Sequence, residues 1–171
     1  MDAAIPGIGA GGHLALELFM SMSGTKFTEI PYKGAGPALT DTVAGHTKVI
    51  MDALSTSLQN VRTGTVRALA QSGTMRSPLL PDVPTMAEAG LPGYEAVVYN
   101  ALLGPAGLPP DIVKKLQAEV AKAGRRPDVQ QTFTRLGITM TSSTPEQLAD
   151  FIAIETAKWV KIIRETGIKT E

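Results

Sequence analysis

The part of this chain best suited to hold a ligand is a run of glycines that leads into a helix: Pro6-Gly7-Ile8-Gly9-Ala10-Gly11-Gly12. Glycine lets backbone approach a bound group closely, and the free N–H groups at a helix start, aided by the helix dipole, attract an anion. Gly9, Ala10, Gly11, Gly12 and His13 are therefore candidate contacts to a carboxylate. Two rivals stand beside this reading. One is a dinucleotide fingerprint, Gly7-x-Gly9-x-x-Gly12, which needs a preceding strand and an acidic residue on a later strand end; neither is evident from the sequence. The other is a purely structural glycine turn. A second turn of the same kind, Pro31-Tyr32-Lys33-Gly34-Ala35-Gly36-Pro37, offers Lys33, Gly34, Ala35 and Gly36, with a solvated lysine beside an ordinary turn as its bland reading. Asp52, with Ser55 and Thr56 after it, falls at the carboxyl end of the next predicted strand, where open α/β sheets place ligand contacts; a helix N-cap is the alternative for Asp52. Tyr99 and Asn100 interrupt an apolar stretch, where a tyrosine either lines a cleft or sets its hydroxyl at a core edge.

Groups that make and break bonds are scarce. The histidines are His13 and His46, without H-E-x-x-H spacing, and neither a G-x-S-x-G elbow nor a phosphate-binding G-x-x-x-x-G-K-[ST] loop occurs. His13, at a helix start, reads as a capping or packing residue before it reads as a base. The 16 basic residues equal the 16 acidic ones, which removes the positive excess that nucleic acid demands, and zero cysteines exclude disulfides and thiolate metal sites. The longest apolar runs fall short of the roughly 20 residues a membrane span needs. The opening MDAAIPGIGAGG has neither the basic nor the apolar region of a secretory signal.

Helix and strand signals alternate along the chain, which predicts an α/β fold built from crossover units on a largely parallel sheet. Helices are expected at His13 to Met22, with Ala15, Phe19 and Met22 on one face, at Pro37 to Val43, and at Ser55 to Arg62. Strands are expected at Phe27 to Tyr32, Thr47 to Met51 and Val66 to Gln71. Ser77 to Pro92 is proline-rich and reads as an extended passage between lobes with a short helix near Thr85 to Ala89. Tyr94 to Leu103 is apolar and β-prone. Pro110 then opens a helix with Val113, Leu116 and Val120 on one face, closed by Gly124. Pro127 opens another with Val129, Phe133 and Leu136, closed by Gly137. Thr144-Pro145-Glu146-Gln147 forms a capping box for a last helix whose buried stripe is Leu148, Ile152, Trp159 and Ile163. Ile168 to Thr170 reads as a final short strand.

The ordered set HLALELF, IPYKGAGPALTD, VIMDALS, VRALAQSG, RSPLLPDVPTMAEAGLPGYEA, LLGPAGLPPDIVKKL and TPEQLADFIAIETAKWVKIIRETGIK resembles the Bug family of solute receptors, the periplasmic components of tripartite tricarboxylate transporters. The resemblance implies a type II periplasmic-binding-protein fold of two lobes enclosing a dicarboxylate, tricarboxylate or aromatic acid. It implies partnership with the transporter membrane subunits, no enzymatic activity, no cofactor and no metal. Residues 1–93 would form the second lobe, bringing the Gly7 to His13 loop, the Lys33 to Gly36 turn and the Asp52 strand end to the cleft. Residues 94–171 would be the carboxy-terminal, mostly helical part of the first lobe, with Tyr99 where the chain returns to it. Family members begin well upstream, so the amino-terminal part of the first lobe is expected to be missing, and the faces it would cover are expected to drive homo-oligomer formation. Ala10 stands where relatives commonly carry Ser or Thr. Two other outcomes stay open: a structural remnant that only oligomerises, and an enzyme using the glycine loop for a phosphorylated ligand.

Overall fold

The computed structural model describes residues 1–168. They divide into two compact units: one comprises Met1–Val98 together with the chain from Trp159 onward, the other Tyr99–Lys158.

At the centre of the first unit is a parallel three-stranded sheet in the order β2-β1-β3. Its middle strand is β1 (Asp2–Ile5), for which the sequence offers almost no signal, since two of its four residues are alanine. What makes it a strand is pairing on both edges: Asp2 to Ile5 face Thr28 to Pro31 of β2 (Thr28–Pro31), and Ala3 and Ala4 face Val49 and Ile50 of β3 (Val49–Ile50). Ala3, Ala4 and Ile5 are almost wholly buried, as a strand covered on both faces should be. Its presence removes one of the two sequence objections to a dinucleotide fingerprint.

Helix α1 (Gly11–Ser23) follows β1 and closes on Gly24, whose φ of 68° lets its N–H reach the Met20 carbonyl. The helix serves two cores, so its buried surface is wider than the Ala15, Phe19, Met22 stripe predicts, and Met22 is exposed. Leu16 packs with Ala3 and Ile5 on the sheet. Ala15 and Leu18 pack with Tyr94, Ala96 and Ile162, flanked by Phe19, Met51 and Trp159. The Tyr94 hydroxyl, deep in this second cluster, donates to the Ala15 carbonyl at 2.8 Å, and burial pushes its pKa up to about 12.

Helix α2 (Ala35–Val43) buries Ala38 and Leu39, and α3 (Leu54–Arg62) buries Leu58. Val66 to Gln71, predicted as a strand, is irregular, with one isolated bridge from Gln71 to Thr85. Apart from Val66 the segment is built of Arg, Ala, Leu and Gln, and among the described residues no ladder partner lies along it. Gln71 instead anchors the proline-rich passage: its Nε2 donates to the Leu80 and Val83 carbonyls, and its Oε1 accepts the Ser77 N–H. The predicted helix near Thr85 is a set of turns, opened by a reciprocal cap in which the Glu88 carboxylate accepts the Thr85 N–H at 2.7 Å and the Thr85 hydroxyl accepts the Glu88 N–H at 3.2 Å. Tyr94 to Leu103 is likewise not a strand. Tyr94 and Ala96 are buried, but Val98, Leu102 and Leu103 are exposed without a neighbouring strand to bind their backbone.

The second unit holds α4 (Pro110–Gly124), α5 (Pro127–Arg135) and the first part of α6 (Pro145–Thr166), whose end belongs to the first unit. The Thr144 capping box forms as predicted: the Gln147 side chain accepts the Thr144 N–H at 2.9 Å and the Thr144 hydroxyl accepts the Gln147 N–H at 3.2 Å. The predicted apolar face of α4 is not buried: Leu116 and Val120 are exposed, while Ala121 and Gly124 are covered. On α6 the predicted stripe of Leu148, Ile152, Trp159 and Ile163 is half-buried, and the buried apolar residue is its neighbour Ile162. The predicted strand at Ile168 to Thr170 lies largely outside the described residues.

Candidate functional site

Because β1, β2 and β3 are parallel, their carboxyl ends lie at one edge of the sheet, and each end turns directly into a helix. Such an edge is where open α/β sheets bind ligands. Backbone contacts tie the three turns together. The Tyr32 N–H donates to the Ile5 carbonyl at 3.0 Å, and the Gly34 N–H donates to the Pro6 carbonyl at 2.7 Å. Gly12 lies so close to the end of β3 that a Cβ there would stand 2.3 Å from the Met51 carbonyl oxygen. The two glycine turns are therefore neighbours, and Gly12 has a packing reason to be glycine.

Their amides are not all available. The Gly9 N–H donates to His13 Nδ1 at 2.9 Å, and the Ala10 N–H to the Gly7 carbonyl at 3.1 Å. With Gly34 engaged by Pro6, three of the expected anion donors are satisfied by the protein itself. The N–H groups of Gly11, Gly12 and His13 at the start of α1, and of Ala35 and Gly36 at the start of α2, have no acceptor among the described residues. Neither helix has a side-chain cap, since the N-caps are Ala10 and Gly34. Lys33 stands exposed beside the second turn, without an ion pair among the described residues. Any hydroxyl that Ser or Thr would bring at position 10 is replaced by a methyl group.

The His13 side chain is turned into the protein. It is 3 % exposed, and its Nε2 lies 3.2 Å from Glu29 Oε2 and 3.7 Å from Glu17 Oε1. Since Nδ1 accepts from Gly9, the neutral ring carries its proton on Nε2 and donates it to Glu29. That tautomer leaves no lone pair for a metal, although the ligand atoms of His13, Glu17 and Glu29 lie within 4.8 Å of one another. Burial, then the nearby Glu29, holds the Glu17 carboxyl above its ordinary value. Glu29 is an acidic residue of β2, but it is the second of the four strand residues and not at the strand end a dinucleotide fingerprint requires, and one of its oxygens is turned to His13.

Asp52 is half-buried and is not the N-cap of α3; that position is Ala53. The Asp52 carboxylate accepts the Thr56 hydroxyl. Ser55, in the first turn of α3, is exposed with no side-chain partner among the described residues. Tyr99 belongs to the second unit, where its ring packs edge-on against Phe151 with centroids 4.8 Å apart. A brace that the motifs do not reveal links the end of β2 to α2: the Tyr32 hydroxyl donates to Asp41 at 2.7 Å. That bond, followed by the His46 contact, holds the Asp41 carboxyl below its ordinary value.

Comparison with known proteins gives this geometry a family. The Tripartite tricarboxylate transporter family receptor profile matches residues 1–168. A protein from the tcbD-tcbE intergenic region of Pseudomonas sp. strain P51 is 39% identical over 166 residues, and protein BugT of Bordetella pertussis is 37% identical over 166 residues. Those alignments cover 96% and 97% of this chain but 49% and 51% of the relatives, so the chain spans about half their length. A Pseudomonas knackmussii relative, 30% identical, is instead covered over 98% of its length. Among solved structures, R. palustris Rpa4515 with adipate superposes with a TM-score of 0.88 at 32% identity, covering 98% of this chain and 56% of that one. The periplasmic binding protein BugD gives 0.84 at 28% identity, covering 100% and 58%. MatC from Rhodopseudomonas palustris with bound malate gives 0.78 at 32%, covering 95% and 56%. With its α/β architecture and its sheet edge of open amides, the chain belongs to the tripartite tricarboxylate transporter receptor family, a family of solute-binding proteins and not of enzymes.

Proposed function

We propose that the first unit is the anion-holding half of a receptor for a small organic carboxylate, acting in the periplasm and delivering its solute to the membrane subunits of a tripartite transporter. In this reading residues 1–93 correspond to one lobe of the intact receptor and residues 94–171 to the carboxy-terminal part of the other. One observation carries it: two uncapped helix starts, α1 and α2, are joined side by side through the Gly34 to Pro6 hydrogen bond, with five amides left without acceptors among the described residues. Lys33 adds a positive charge at the rim, and Asp52 and Ser55 at the neighbouring strand end help select the remainder of the solute. The adipate and malate held by the structural relatives set the chemical class to test first. No helix among the described residues is long and apolar enough to cross a membrane.

The test is calorimetric titration with adipate, malate and an aromatic acid. Ala35→Pro removes one amide at the first helical position, where proline is well tolerated. A hydrogen bond to a charged group contributes about 1.5–3 kcal/mol, so this change weakens binding tenfold or more. Silence across the panel, or an affinity indifferent to Ala35→Pro, overturns the reading.

Exposed Leu102, Leu103, Leu116, Val120 and Ile154 in the second unit support a companion reading, that the chain self-associates through them. Light scattering that finds a monomer at micromolar concentration refutes it.

A further inference from the structure

We propose that His13 is a proton-operated latch on the glycine loop. Its ring joins two things the fold keeps apart: the amide of Gly9 on one side and a pair of carboxylates on the other. In the neutral ring Nδ1 has a lone pair and Nε2 has a proton, which satisfies Gly9 and Glu29 together. Protonation of His13 must place the second proton on Nδ1, the atom that accepts from Gly9. Two donors would then face each other at 2.9 Å, and the attraction that holds the loop becomes repulsion. The ring is 3 % exposed, which leaves little room for water to separate them, so the Gly9 turn has to move.

Charged groups surround the ring on more than one element. Glu17 on α1 and Glu29 on β2 face Nε2. The amino end of α1, where the helix dipole is positive, lies beside the ring. A buried Glu29 oxygen has no hydrogen-bond partner, and Glu17 competes for the same proton. The loop that moves is the one carrying the open amides of Gly11, Gly12 and His13, so release of Gly9 disorders that half of the carboxylate seat. This last step rests on the proposed function; the latch itself does not.

Nuclear magnetic resonance on the full chain tests it. The ring of neutral His13 is expected in the Nε2–H form, with the Gly9 amide protected from exchange. As the pH falls, loss of Gly9 protection should share its midpoint with the His13 ring, while the Ala96 amide, bonded to Ser72, stays unchanged. Glu29→Gln removes an anionic partner and should move both midpoints down together. His13→Asn keeps an acceptor for Gly9 that does not titrate and should leave Gly9 protected at every pH. An Nδ1–H tautomer, or Gly9 exchange indifferent to the state of His13, overturns the latch. Adipate titrated over the same range separates the two ideas: affinity should fall as His13 protonates. If Gly9 follows His13 while adipate fails to bind at any pH, the latch stands and the carboxylate reading falls.

Discussion

Two glycines at helix starts should respond in opposite directions to the same methyl group. At Gly12 a Cβ would lie 2.3 Å from the Met51 carbonyl oxygen, 0.7 Å inside the 3.0 Å limit that real contacts respect, with Pro6 Cδ at 3.0 Å. Both neighbours are backbone or ring atoms that cannot swing aside. Overpacking of this kind costs about 3 kcal/mol at the rigid end of its range. Alanine returns about 1 kcal/mol through helix propensity, leaving Gly12→Ala destabilised by about 2 kcal/mol. For a chain of this size that lowers Tm by roughly 4–8 °C. At Gly36 nothing lies within 4 Å and φ is not positive, so Gly36→Ala should raise stability by about 0.5–1 kcal/mol. The open space there is also where the proposed carboxylate sits, so Gly36→Ala should weaken adipate binding while raising Tm. Thermal and urea unfolding of both variants gives the answer. A Gly12→Ala protein that melts with or above the wild type would show that close passage of α1 past β3 does not dictate this residue.

Tyr94→Phe keeps the ring and loses the bond to the Ala15 carbonyl, at an expected cost of about 0.5–1.5 kcal/mol by urea unfolding. Because the Tyr94 pKa rises from 10.0 to about 12, the wild type should lose stability as pH climbs from 10 through about 12, and the phenylalanine variant should lack that component. Glu17 has the same sign in a lower range: its raised carboxyl favours the fold below its ordinary value of 4.5, and that contribution is lost as pH rises through the shifted value. Glu17→Gln should therefore flatten the stability profile above pH 4.5, and a profile parallel to wild type would refute it.

Local signals were readable wherever the deciding residues are close in sequence. Pro110 opens α4, and Thr144 with Gln147 starts α6, because such signals act within one turn, whereas Gly124 is the last helical residue and the C-cap is Arg125. Strands depend on a neighbour, which composition does not show. Asp2–Ile5 becomes the central strand through residues 28–31 and 49–50, whereas β-prone Tyr94 to Leu103 finds no ladder. The site divides the same way. Its glycine turns are visible as clusters, but which amides stay open depends on a ring four residues past Gly9 and on Pro6 meeting Gly34. Gln71 lies within the VRALAQSG motif, but nothing in that motif shows that its side chain gathers the proline-rich passage.

Placing the earliest strand of the chain between two later ones has a cost under proteolysis. The linker just after it exposes Ile8 to 52%, an apolar residue in an open turn of the kind proteases recognise. A single nick there would cut the covalent link between the middle strand and α1, leaving that join to the ladders with β2 and β3. If those ladders then parted, the inner edges of β2 and β3 would be bared together, adding to the outer edges that the open sheet already presents.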